Sequence, residues 1–129
     1  MQTLRVNGYD MAYLEVGASA GQRPPLVCVH GSLCDFRIWS SVLGPLTQKH
    51  RVIAVSLRHF FPDHWDGVGD TYSIAQHVDD VIAFIEKLDA WPVDLMGHSR
   101  GLDSLTHRVR RHAFSTAAVD AARSVMPRM

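Results

Sequence analysis

Five residues, Gly97-His98-Ser99-Arg100-Gly101, carry the clearest chemistry in this sequence. A serine hydroxyl becomes a useful nucleophile when a base takes its proton and the chain presents it free of its neighbours. The apolar run Val93-Asp94-Leu95-Met96 leads straight into Gly97, so a strand passes into the turn without a linker. Glycines at 97 and 101 remove the Cβ atoms that would crowd a turn this tight. A helix following the turn directs its free N–H groups at developing negative charge. G-x-S-x-G between strand and helix is a nucleophile elbow. The pattern alone recurs by chance; its place after an apolar strand gives it weight. Ser99 is therefore the candidate nucleophile, with Gly97, His98 and Gly101 shaping the turn and His98 structural rather than a base.

The other reactive side chains have plainer readings. His50, His64 and His77 lack metal-ligand spacing and read as surface residues. His59 lies in a loop, where it lines a site or is simply solvated. Asp79-Asp80 reads as the polar face of a helix rather than a catalytic carboxylate pair. Cys28 sits inside an apolar run and Cys34 in a loop. They make no disulfide framework and have no companions for a zinc site, so no metal is expected.

The elements that must position Ser99 are visible upstream. Leu4 to Asn7 and Met11 to Val16 read as extended segments joined at Asn7-Gly8, a hairpin turn signal. Residues 18–25 form a Gly-, Ser- and Pro-containing loop. Leu26-Val27-Cys28-Val29 is a continuous apolar run, as in strands covered on both faces, and ends at His30-Gly31. Asp35 to His50 has helical apolar spacing at Phe36, Trp39, Val42, Leu43 and Leu46, with a break expected at Gly44-Pro45. Val52-Ile53-Ala54-Val55 is a second buried strand, followed by a loop over 58–71. Ser73 to Leu88 is the best-defined helix. Ser73 and Gln76 form a capping box, and Ile74, Val78, Val81, Ile82, Ile85 and Leu88 make its apolar stripe. Strand, helix, strand, helix, strand specifies an α/β fold, a mostly parallel sheet with right-handed crossovers.

Composition excludes several alternatives. The chain has 129 residues, 47% of them hydrophobic, and a formal net charge of zero. Those values suit a globular domain and give no electrostatic case for nucleic acid or an anionic membrane as partner. The N-terminus lacks a signal-peptide apolar region and no run reaches transmembrane length, so the cytoplasm is the expected location.

Taken together, His30-Gly31, Trp39, the strand Val52 to Val55, the helix from Ser73 and the segment Gly97 to Gly101 resemble the α/β-hydrolase fold family. The similarity covers residues 1–101, the N-terminal part of such a domain. It implies helices on both faces of the sheet, a serine nucleophile and an acyl-enzyme. It also implies no cofactor and a small-molecule substrate with an ester or related carbonyl bond. It further implies an oxyanion hole built from the backbone N–H groups of Ser32 and Arg100, in segments supported by His30 and Gly31. Two such donors supply a large part of the barrier reduction. The sequence departs from the family at Leu102, where a second glycine is usual, and at Ser56 to Pro62, where an Asp-x-x-Gly-x-Gly loop is common.

Residues 102–129 differ in character. Arg108, Arg110, Arg111, Arg123 and Arg128 face only Asp103 and Asp120, and apolar spacing is weak. This segment reads as a divergent basic tail, helical or disordered, and its abrupt onset suggests a shifted reading frame. The family's acid and base follow the elbow in the order Ser, Asp or Glu, His. Asp103, His107, His112 and Asp120 are poorly spaced to replace them. The fold is thus expected to be truncated after the elbow, with triad acid and base absent. Two functions compete: a serine hydrolase, or an inactive hydrolase fragment. Truncation there would leave the strand before Gly97 as an exposed edge, through which the chain would self-associate.

Overall fold

The computed structural model describes residues 1–17, 24–31, 33–90, 92–98, 105–108 and 123–125. Two N-terminal strands, β1 (Gln2–Val6) and β2 (Tyr9–Val16), pair antiparallel with Val6 opposite Tyr9. Asn7 and Gly8 both have positive φ, 47° and 86°. That is the turn geometry whose twist matches the strands, and Asn-Gly tolerates it best. Then follow β3 (Leu26–Val29), a 3-10 turn (Phe36–Trp39), α1 (Leu43–Thr47), β4 (Val52–Val55), α2 (Ile74–Lys87), β5 (Asp94–Gly97) and β6 (Arg123–Val125).

The sheet order is β1-β2-β4-β3-β5-β6. β3 pairs parallel with β4 and with β5, and β2 runs antiparallel to β4. From β3 the chain steps one way to β4, then returns across β3 to β5. With right-handed crossovers, reversing the direction places successive helices on opposite faces. The core divides accordingly. Val27, Val29, Ile53 and Val55 pack with Phe84, Val81 and Ile85 of α2 on one face. Leu26, Cys28, Val52, Ala54 and Met96 pack with Trp39, Leu43 and Leu46 on the other. All four residues of β3 and of β4 are buried, which is why both read as unbroken apolar runs.

The expected helix over Asp35 to His50 is two short pieces, and its break precedes Gly44-Pro45. Pro45 lies in the first turn of α1, where its missing N–H would have had no helical partner. The 3-10 turn is capped by Asp35, whose carboxylate accepts from the Arg37 N–H at 2.9 Å. The capping box at Ser73 is half made. Ser73 Oγ accepts from the Gln76 N–H at 3.1 Å, but the Gln76 side chain donates to Asp80 instead of reaching back.

Asp80 corrects a second expectation, since it is fully buried rather than part of a polar face. Arg58 forks onto both its carboxylate oxygens at 2.9 and 3.1 Å, and Asn7 Nδ2 donates at 2.9 Å. The cluster ties the β1–β2 turn, the loop after β4 and α2 together. Farther along the chain, residues 105–108 are helical and β6 pairs parallel with β5. β5 is therefore not the sheet edge expected from the sequence.

Candidate functional site

Two loops meet where β3 and β5 end. Val29 lies opposite Gly97 in the parallel register, and the His98 N–H donates to the Val29 carbonyl at 3.1 Å. The His30-Gly31 and Gly97-His98 segments therefore leave the sheet side by side at the carboxyl ends of adjacent strands. The connections from β3 and from β5 run in opposite directions there, and ligands of open α/β sheets bind at such switch points.

A cavity of about 70 Å³ opens at this point. It is lined by Val29, His30 and Gly31 after β3, Gly97 and His98 after β5, Leu57, Phe60 and Tyr72 from the loop after β4, and Ser73, His77, Val78 and Val81 at α2. Ile74 and Leu105 also line it, and Leu105 is buried. Its two aromatic lining residues, Phe60 and Tyr72, lie 5.7 Å apart, and Trp65 stacks on Tyr72 at 4.6 Å.

Hydrogen bonds fix the tautomers of two histidines. The buried His30 Nδ1–H donates to the Gly31 carbonyl at 2.8 Å, and its Nε2 accepts from the Leu57 N–H at 2.9 Å. One nitrogen must donate and the other accept, so the ring is neutral, and burial lowers its pKa. His30 thereby fastens the loop after β3 to the loop after β4. On α2, His77 Nε2 lies 3.1 Å from the Arg58 carbonyl and must carry the proton. Its pKa is also lowered, chiefly by burial.

Of the residues singled out in the sequence, His30, Gly31, Gly97 and His98 come together at this cavity. Ser32, Ser99, Arg100 and Gly101 lie outside the described residues, as do Asp103, His112 and Asp120. His107 is exposed on the helical turn. His59 Nε2 pairs with Thr71 Oγ1 at 2.8 Å rather than lining the cavity. His77, expected on the surface, is half-buried and lines it. The sequence held the signal, because positions 74, 77, 78 and 81 form one helical stripe. Among the described residues no group of three or more His, Cys, Asp or Glu side chains could hold a metal ion. No helix among them is long and apolar enough to cross a membrane.

Cys28 and Asp35 are set by their surroundings rather than by the site. Burial pushes the Cys28 thiol up to about 12, so it stays protonated within the core. The Arg37 side chain, hydrogen-bonded to Asp35, holds that carboxyl below its ordinary value.

No family model matches the chain. A 3-hydroxybutyrate-oligomer hydrolase of Cupriavidus necator is 32% identical over 93 residues, covering 72% of this chain and 31% of that protein. A 2-heptyl-3-hydroxy-4-quinolone dioxygenase of Rhodococcus erythropolis is 32% identical over 101 residues, covering 76% of this chain and 36% of its own length. The enol-lactonase of Burkholderia xenovorans superposes with a TM-score of 0.72 at 24% identity, over 86% of this chain and 42% of that one. The chain belongs to the α/β-hydrolase fold family. It spans about a third of the length of the curated relatives it matches. What this hydrolase-fold chain shares with the lactonase is the fold.

Proposed function

We infer that this chain carries the nucleophile half of a hydrolase acting on an ester or related carbonyl bond of a small molecule. The observation that carries the reading is the meeting of His30-Gly31 and Gly97-His98 in the lining of one cavity, across the Val29–Gly97 register. Ser99 follows His98 directly and attacks the carbonyl carbon. Its proton passes to a base, and the tetrahedral oxygen is held by the N–H groups of Ser32 and Arg100. Collapse expels the alcohol and leaves an acyl group on Ser99, which water then releases. The reaction needs no cofactor, and the apolar lining favours a small, largely apolar acyl or ring group. The similarity to an oligomer hydrolase supports an ester as the bond broken.

The test is turnover of p-nitrophenyl butyrate by the chain and by Ser99→Ala. The reading expects release of nitrophenol that falls by ~10³-fold or more in Ser99→Ala. The alternative reading is a chain with the fold and no turnover of its own. It expects equal background rates from both proteins. Equal rates would overturn the catalytic reading.

A further inference from the structure

The loop after β3 is tied to the chain after β4 at two adjacent residues. The Leu57 N–H donates to His30 Nε2 at 2.9 Å, and the Phe36 N–H donates to Ser56 Oγ at 3.1 Å. Of these two acceptors, only the histidine titrates near neutral pH. His30 Nδ1–H is committed to the Gly31 carbonyl at 2.8 Å, so Nε2 is the nitrogen that takes the added proton. A proton there sets one N–H against another, and the bond to Leu57 is lost. The ring is only 2% exposed, with Phe60 packed against it at 5.1 Å, so the charged form has no water to turn to. Two titratable groups act on it from either side. Asp35, in the same loop, favours the proton, but both its oxygens are held by Arg37 at 2.8 Å. His77 of α2 opposes it, with its own Nε2–H on the Arg58 carbonyl. Arg58 is turned onto Asp80, and His98 lines the same cavity after β5. Burial is the largest influence and holds the His30 pKa below its ordinary value. The loops beside the bond are exposed at Leu33 and over residues 61–70, whereas every residue of β3 and β4 is buried. The loops therefore part at a lower cost than the sheet unfolds.

We propose that His30 is an acid-sensitive latch: a solvent proton on Nε2 breaks the Leu57 bond and frees the span from His30 to Asp35 while the sheet stays folded. Phe36 keeps its bond to Ser56, so the span stays tied at that end and recloses when the proton leaves. Release moves His30 and Gly31 in the cavity lining, and with them the turn closed by the Cys34 N–H on the Gly31 carbonyl. Its effect on turnover rests on the hydrolase reading, because Ser32 falls within this span. The latch itself does not depend on that reading.

The test is a pH titration of the ¹⁵N-labelled chain from 7.5 downwards, read by NMR at the His30 ring and at backbone amides. The His30 Nε2 and Leu57 amide resonances should move together, with one midpoint below about 6.5. Below that value the exchange protection of the Leu57 amide, corrected for its intrinsic rate, should fall about tenfold per pH unit, as one proton requires. The amides of Val27 and Ile53 in β3 and β4 should keep their protection across that midpoint. In His30→Gln, whose side-chain oxygen accepts without titrating, the Leu57 transition should vanish; in His77→Gln it should persist. A Leu57 amide indifferent to pH until the sheet unfolds would overturn the proposal. So would a transition that survives in His30→Gln or disappears in His77→Gln, or one shared by Val27 and Ile53. Should His30→Gln fail to fold, the coincidence of the His30 and Leu57 midpoints in the unaltered chain decides alone. Ser99→Ala leaves every one of these readouts unchanged, so failure of the hydrolase reading is a separate result.

Discussion

His30 shows how much one side chain can fix. Its two nitrogens join the loop after β3 to the loop after β4, and both bonds require the neutral ring. Replacing it by Phe leaves the Leu57 N–H buried without an acceptor. The expected cost is about 1–3 kcal/mol in urea denaturation, with little change in m-value. The pH dependence follows from the same geometry. Folded His30 and His77 both have lowered pKa values, so the unfolded chain binds more protons just below the ordinary value of about 6.5. Stability therefore rises with pH up to that value and is lost on acidification below it. Melting temperatures from pH 7.5 to 5.5 should fall, and His30→Phe should flatten the slope. A rise on acidification would contradict the tautomer assignment.

Elements here are held by one another's side chains as much as by their own propensity. Asp80 of α2 takes Arg58 from the loop after β4 and Asn7 from the first turn, while Arg58 lies 4.2 Å over the Tyr9 ring. Removing one member of a buried ion pair strands the other charge. Asp80→Ala should cost about 3–5 kcal/mol, read as a lowered urea midpoint. A loss under 1 kcal/mol would show that the cluster is not the clamp described. Asp80 was not legible in the sequence, because its partners lie in distant segments and Asp79-Asp80 alone looks like a solvated face. Pro45 was misleading for a different reason. A proline reads as a breaker, yet in the first turn of a helix it removes an N–H that had no partner.

At the scale of the molecule, β3 and β4 were legible because burial on both faces produces unbroken apolar runs, β1 and β2 because Asn7-Gly8 marks the turn between them, and Ser73 marks the start of α2 through its hydroxyl. The placement of His30-Gly31 beside Gly97-His98 follows from that strand order. β6 was not legible: Arg123-Ser124-Val125 has no apolar run, and it joins the sheet through main-chain pairing with β5. Its role can be tested by ending the chain before residue 123. The account expects β5 to become an open edge and the shortened protein to show a larger mass by light scattering than the full chain. Equal masses would mean that β6 protects nothing.

The proposed function makes Ser99 an activated nucleophile. Treating the chain with a fluorophosphonate probe and mapping the adduct by peptide mass spectrometry tests it most directly. The account predicts one adduct, on Ser99, absent from Ser99→Ala. No adduct on the unaltered chain, or an adduct that survives in Ser99→Ala, would contradict it.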